Sequence, residues 1–298
     1  MSILDQIDMK NHIPVLPEEV FSYLDIQKEG IYLDGTIGLG GHASSILSTI
    51  SGNGRLIGID RDKEALEICK ERLVKHGTNF TLHHNSYHNI SKILNSLDIV
   101  LIDGILLDLG LSSLQLNSSD RGFNFVTNSK LDMRFDKSQE TTAKDLINLL
   151  EVNKLADIIY KYGEERRSRI IAQNIGKVRP ITQVFELLEA IEKSTPPKNR
   201  KKSISRVFQA IRIAVNDELG KLESFLNSFH LNLKIGGRAA IISFHSLEDR
   251  MVKHAFKKLE KEKIIKVLTK KPVTPSLSEV EYNIRSRSSK LRVAERIL

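Results

Sequence analysis

The sequence predicts an α/β fold in which a mostly parallel sheet is covered by helices on both faces and a helical domain is inserted into it. Three observations predict it. Short apolar runs alternate with segments of helical periodicity in both the first and the last third of the chain. One run, Gly104-Ile-Leu-Leu-Asp-Leu109, is continuously apolar, as a strand buried on both faces should be. Between about Ser112 and Asn216 strand signals fade and helical spacing takes over. The expected division is 1–111 and 217–298 for the sheet domain and 112–216 for the insertion.

In chain order, residues 12–29 read as an extended entry and a short helix with Pro17 in its first turn. A strand at Ile31–Asp34 leads through a glycine cluster into a helix marked by Ala43, Ile46, Leu47 and Ile50. A second strand, Leu56–Asp60, precedes a helix capped by Asp62 and running to about His76. Phe80–His84 is a third strand and Gly104–Leu109 the fourth. The insertion shows helical spacing at Leu146, Ile147 and Leu150, at Leu155, Ile158 and Ile159, and at Val184, Leu187, Leu188 and Ile191. Within it Ser194–Ser203 reads as a turn-rich basic loop. An amphipathic helix at Leu219–Leu231 and a fifth strand at Gly236–Ser243 then restore the first pattern. Ser246 and Asp249 have capping-box spacing for a helix ending near Lys261, which makes Ser246 a cap rather than a nucleophile. Ile264–Leu268 and Lys290–Ile297 are two closing strands.

At 298 residues the chain can bury a full core. Its single cysteine, Cys69, lies on the apolar side of a helical pattern, so disulfides and cysteine-based zinc sites are excluded and no metal site is expected. Met1–Lys10 lacks the basic start and apolar run of a leader, and no stretch reaches the roughly 18 apolar residues of a membrane span, so a cytoplasmic protein is expected. The net charge is +8, and residues 161–212 hold 13 Lys and Arg against 5 Glu, leaving 32 of each sign elsewhere. The whole excess therefore lies in the insertion, which favours contact with a polyanion.

Strand-to-helix order places a ligand crevice at the carboxyl ends of the strands, where Asp34, Asp60 and Asp108 all fall. Gly35, Gly38, Gly40 and Gly41 let the backbone approach a ligand, and the following helix points its free N–H groups at it. Gly38-x-Gly40-x-x-Ala43 with Asp60 about twenty residues on also fits a dinucleotide site. Asp34 argues against that reading, because its carboxylate would face a pyrophosphate. S-adenosylmethionine carries an ammonium and a sulfonium, so Asp34 suits its tail and Asp60 its ribose.

Ile31–His42, Asp103–Ser113 and Ile242–Arg250 together resemble the bacterial 16S rRNA cytosine-N4 methyltransferases, the RsmH/MraW family. The likeness extends to Asp120–Phe125, Leu131–Arg134, Tyr162–Arg166, Arg206–Arg212 and Arg285–Arg296, covering almost the whole chain. It implies a Rossmann-like S-adenosylmethionine methyltransferase sheet that methylates N4 of a specific cytosine in the decoding region of 16S rRNA, with the small ribosomal subunit as partner. It implies a cofactor site of Gly40, Gly41, His42, Asp60, Tyr87, Asp108 and Gln115, to which the glycine loop adds Asp34 and Gly38. The family's Ser-Ser-Pro-Gln turn is Ser112-Ser-Leu-Gln115 here, and its usual His-Pro before Arg206 is Lys202-Ser203.

A cytosine amino nitrogen is a poor nucleophile and needs an acceptor for its N–H; Asp108, Ser112 and His245 are the candidates. His245 reads equally as a packed, hydrogen-bonded residue. RNA phosphates would be met by Arg166, Arg167, Arg169, Lys198, Arg200, Lys201, Lys202 and Arg206. Two other functions compete. An NAD-linked oxidoreductase would bind NADH and not S-adenosylmethionine, and a ribosome-associated protein without turnover would leave rRNA methylation unchanged when deleted. The oligomeric state stays open between monomer and homodimer.

Overall fold

The computed structural model describes residues 13–298. The readings made for Met1–Lys10 and for His12 fall outside the described residues. The chain divides into two compact units, one made of residues up to Ser113 together with Gly220–Leu298, the other of Leu114–Leu219.

The first unit is built on a seven-stranded sheet: β1 (Ile31–Asp34), β2 (Arg55–Asp60), β3 (Phe80–His84), β4 (Ile102–Asp108), β5 (Leu233–Ser243), β6 (Ile265–Val267) and β7 (Lys290–Arg296). Their order is β3-β2-β1-β4-β5-β7-β6, and all pairs are parallel except those of β7, which runs antiparallel to both neighbours. Successive residues of each strand face opposite layers. Leu33, Ile57, Ile59, Ile105, Leu107 and Ile241 join one core with Phe225, Phe229, Val252 and Phe256. Tyr32 and Leu56 join Ala43, Ile46, Leu47 and Cys69 on the other side, where Leu106, Ala240 and Ile242 meet Val20 and Leu24. Both faces are thus sealed by aliphatic and aromatic side chains, each contributing roughly 1.5–3 kcal/mol on full burial.

The covering helices are α1 (Pro17–Leu24), α2 (Gly41–Thr49), α3 (Lys63–Leu73) and α4 (Ile90–Ser96), with α11 (Glu218–Leu226), α12 (Ser246–Lys261) and α13 (Leu277–Tyr282) later in the chain. Pro17 occupies the first turn of α1, as its fixed φ favours. Cys69 is buried in the core, so its thiol is core filling.

Three local expectations need correction. Asp62 occupies the N-cap position of α3 but makes no side-chain cap bond. The capping box of α12 is formed by His245 and Glu248, one residue earlier than Ser246 and Asp249, because Asp249 is drawn to Arg292 at 2.7 Å and Lys290 at 3.3 Å. The supposed loop up to Ser203 ends at Asn199; Arg200 already opens a 17-residue helix. The prolines and charges of that stretch masked the helical spacing of Ile204, Val207, Phe208 and Ile211, which are its buried face.

The second unit holds α5 (Ser113–Asn117, all but its first residue), α6 (Ala143–Leu149), α7 (Val152–Gly163), α8 (Ser168–Lys177), α9 (Val184–Lys193) and α10 (Arg200–Asn216). Helix α10 packs against α7, and Gly163 allows the crossing: a β-carbon there would meet Arg206 O at 2.5 Å. Glu165 is buried beside that crossing, accepting from the Ser203 hydroxyl at 2.9 Å and the Arg167 N–H at 2.9 Å, with Arg206 Nη1 at 3.5 Å. Asn216 ties the loop before α6 to α10 by accepting from Phe135 N–H at 2.8 Å and donating to Met133 O at 2.7 Å. The buried Arg121 guanidinium donates to Arg134 O at 2.8 Å and Phe135 O at 2.9 Å. The polar motifs of this unit therefore hold its loops to its helices, where an unmet buried group would be costly.

Candidate active site

The register of β1 brings the three strand-end carboxylates to one edge. Asp34 lies opposite Gly58 of β2 and Leu106 of β4, so Asp60 and Asp108 each sit one strand over and two residues further along. The glycine loop is laced between those strands: Gly35 N–H donates to Leu106 O at 2.9 Å, and Ile37 N–H to Ile59 O at 3.0 Å. Asp108 N–H donates to the Thr36 hydroxyl at 2.6 Å. Asp60 grips the loop directly, Oδ2 accepting from Gly38 N–H at 2.7 Å and Oδ1 from Asp62 N–H at 2.9 Å.

Two glycines are required by conformation. Gly38 has φ 50° and Gly40 φ 80°. At Gly40 a β-carbon would also press on Cys69 Sγ at 2.9 Å, so the loop sits directly on α3. At Gly38 the same atom would make only ordinary van der Waals contacts, with Thr36 O at 3.8 Å and Ser112 Cβ at 3.9 Å. This side of the loop, beside the α2 N-terminus, is the cradle.

Electrostatics mark it as a place for positive charge. Burial pushes the Asp34 carboxyl up to about 8, opposed by the N–H of Thr36 and reinforced by Asp108 and Asp60. Burial raises Asp60 to about 6 against the N–H groups of Asp62 and Gly38. Asp108 rises to about 7, again chiefly by burial, with Arg285 pulling it down and Glu248 up. Its Oδ1 is enclosed with no hydrogen-bond partner, and Oδ2 is 3.8 Å from His42 Nε2. Buried, crowded carboxyls of raised affinity for protons fit a cationic ligand and disfavour a pyrophosphate. The glycine cradle, the unpartnered Asp108 oxygen and this acidity fit S-adenosylmethionine.

The other expected residues are placed as follows. Gly41 and His42 open α2, with His42 buried. Tyr87 is buried with its ring edge-on to Phe225 at 5.6 Å, and its Cβ lies 2.9 Å from where a Gly35 β-carbon would be. Ser112 stands beside Gly38. Gln115 is buried in the second unit, two residues past the division. His245 is engaged as the α12 cap: Nδ1 accepts from Glu248 N–H at 3.4 Å and Nε2 lies 3.2 Å from Glu248 Oε1. Of the three candidate acceptors, Asp108 Oδ1 and His245 Nε2 are both buried without a hydrogen-bond partner, but His245 Nε2 faces the Glu248 carboxylate at 3.2 Å, whereas Asp108 lies at the strand edge beside the glycine loop.

In the second unit Arg166, Arg169, Lys198, Lys201 and Lys202 are exposed. Arg167 is exposed as well, yet its Nε donates to Ser194 O at 2.8 Å. Arg200 is half-buried, and Arg206 is committed to Glu165. Charge alone could not separate those facing solvent from those bracing helices.

Sequence reasoning missed three residues of the site. Thr36 carries the Asp108 N–H, and Arg72 Nη1 donates to Leu39 O at 3.0 Å, propping the loop from α3. Arg285 Nη1 donates to the Ser113 hydroxyl, its Nη2 is buried without a partner, and its charge acts on Asp108. Thr36 and Arg285 lie inside the motifs Ile31–His42 and Arg285–Arg296, but nothing in local spacing marked their contacts; Arg72 left no trace.

Comparison with known proteins gives concordant results. The model of the MraW methylase family matches residues 9–297. Ribosomal RNA small subunit methyltransferase H of Caldicellulosiruptor saccharolyticus is 47% identical over 308 residues, covering 97% of this chain and 100% of that protein. The protein of the same name from Thermosipho africanus is 47% identical over 290 residues, covering 96% and 98%. Among solved structures, a putative rRNA methylase from Clostridium thermocellum is 12% identical with a TM-score of 0.47, covering 96% of this chain and 99% of that one.

Proposed function

The chain belongs to the MraW methylase family, and from that premise we propose the following reading of its parts. It is an S-adenosylmethionine-dependent methyltransferase that modifies N4 of a cytosine in 16S rRNA. The cytosine lies in the decoding region, the enzyme works in the cytoplasm on RNA of the small subunit, and Leu114–Leu219 is the substrate-recognition unit. Among the described residues no helix is long and apolar enough to cross a membrane.

The observation that carries the division of labour is the convergence of Asp34, Asp60 and Asp108 around the Gly38–Gly40 cradle. When bound there, S-adenosylmethionine supplies a methyl group activated by its sulfonium. Asp34 balances the ammonium of its tail. Asp60 and the Gly38 backbone hold the ribose side, and His42 and Tyr87 complete the pocket. Asp108 offers its unpartnered Oδ1 to the amino group of the cytosine. Accepting one N–H there would orient the amino nitrogen, raise its electron density and receive the proton it sheds on methylation, so positioning is most of the catalysis. The Arg285 charge opposes the burial that raises Asp108 and so favours the ionised form this task needs. Enclosure of the site by the cores of the sheet unit keeps its dielectric low, which favours discharge of a cationic reagent.

Lys198, Lys201, Lys202, Arg166 and Arg169 meet the RNA phosphates. The test is mass spectrometry of small-subunit rRNA from a strain lacking the gene, with and without complementation. Loss of one N4-methylcytosine, restored by the wild type and not by Asp108→Asn, is the expected result. An unchanged methylation pattern would reduce the protein to a binding factor.

A further inference from the structure

Helix α12 leaves the sheet edge that carries the site, since Ile242 of β5 is paired with Asp108 and Ser243 with Lys290. Its inner side is buried through Val252, Phe256 and Leu259. Its outer side is basic from end to end. Arg250, Lys253, Lys257 and Lys261 recur at spacings of three and four residues, all exposed, with the exposed His254 among them. At 1.5 Å per residue this row runs for roughly 16 Å.

Of the acids bordering the row, Asp249 and Glu260 have internal partners, while Glu262 is exposed just past its end. Asp249 is held by Arg292 and Lys290, and Glu260 accepts from Val267 N–H at 3.0 Å. Lys253, Lys257 and Lys261 have no ion pair among the described residues. At the first turns of the helix the row opens into a groove of about 340 Å³ lined by Ser246, Asp249, Arg250, Lys253, His254 and Lys290. Lys290 begins β7, two strands from Asp108 and so about 10 Å across the sheet edge.

We propose that this face of α12, with its groove, is an RNA-binding surface on the sheet unit itself, gripping the phosphate backbone of the RNA whose cytosine enters the site. Exposed lysines free of ion pairs, beside an Asp249 already paired with Arg292 and Lys290, fit a polyanion, and the start of the row at the site edge fits a strand leading away from the target base. Whole-chain bookkeeping hides it, because acids elsewhere in the sheet unit cancel its charge. The inference rests on the rRNA reading above.

The experiment is the triple variant K253Q/K257Q/K261Q, compared with a control triple, K63Q/K70Q/K75Q, whose exposed lysines are interspersed with Glu64, Glu67 and Glu71 on and just after α3. Affinity for a 16S rRNA fragment containing the target cytosine is measured against salt. Three lost phosphate contacts should flatten the slope of log K against log salt by about 2–3 and weaken binding roughly a hundredfold at about 0.1 M salt. The control should change little, and S-adenosylmethionine affinity and melting temperature should be unchanged in both. Equal behaviour of the two triples, or a wild-type slope in the first, overturns the proposal. Failure of the wild type to methylate rRNA would instead overturn the functional reading.

Discussion

Binding of S-adenosylmethionine should release protons. Burial pushes the Asp34, Asp108 and Asp60 carboxyls up to about 8, 7 and 6. Taken as one coupled set at pH 7, they hold roughly 1.5 protons: most of one on Asp34, half on Asp108 and little on Asp60. An incoming ammonium and sulfonium favour the ionised forms, so about one proton or more should leave per cofactor bound, and affinity should rise from about pH 6 to pH 8. Titration calorimetry in buffers of different ionisation enthalpy reads the number directly. Asp34→Asn should reduce it by nearly one and weaken binding about ten- to hundredfold, the range of a charged hydrogen bond. The linked stability has a definite sign. All three folded-state values exceed the unfolded value near 3.9, so this stabilisation is complete below about pH 4 and is lost as pH rises through about 6 to 8. The empty protein should therefore melt lower at about pH 8.5 than at pH 5.5, while the loaded protein should be flatter. Zero net release, or proton uptake, would refute the reasoning, and uptake is what an anionic dinucleotide should cause.

Other outcomes follow from single contacts. Arg285→Met removes the charge that holds Asp108 down, so the acidic limb of the rate–pH profile should move to higher pH while binding of the RNA is retained; an unmoved limb would dissociate Arg285 from Asp108. Gly40→Ala forces a β-carbon into a left-handed backbone and against Cys69 Sγ, and should destabilise by about 1–3 kcal/mol with loss of cofactor affinity, read by chemical denaturation and calorimetry. Glu165→Ala removes the ion pair of the partly exposed Arg206 and strands the buried Ser203 hydroxyl and the part-buried Arg167 N–H, and should cost about 1–3 kcal/mol in denaturant titration, whereas Lys201→Ala should leave stability within about 0.5 kcal/mol. Neutralising Lys198, Lys201 and Lys202 should flatten the salt dependence of RNA binding without altering calorimetric binding of the cofactor.

Much of the sheet unit was legible. Alternating strand and helix patterns give the parallel order through β5 and the closing pair, since period 2 against period 3.6 is a strong local signal. Short elements were less so: α4 spans seven residues, too few for periodicity to stand out. The α12 cap was misread by one residue because Ser246 and His245 both precede a carboxylate at the right spacing, and only the Arg292 partner of Asp249 decides between them. Cations in the second unit could be counted but not sorted, since Arg206 differs from Lys202 by a buried Glu165 brought from the connection between α7 and α8.

The sequence by itself determined which carboxylates stand at strand ends, where glycine must relieve the backbone, and where positive charge accumulates, because each depends on residue type and local spacing. Tertiary structure alone decided that Asp108 keeps an oxygen without a partner, that Arg285 from the far end of the chain tunes it, and that α12 carries a basic face beside which Asp249 and Glu260 are occupied. Those are contacts between residues distant in the chain, and their energies depend on burial and on a partner's position, neither of which local spacing encodes.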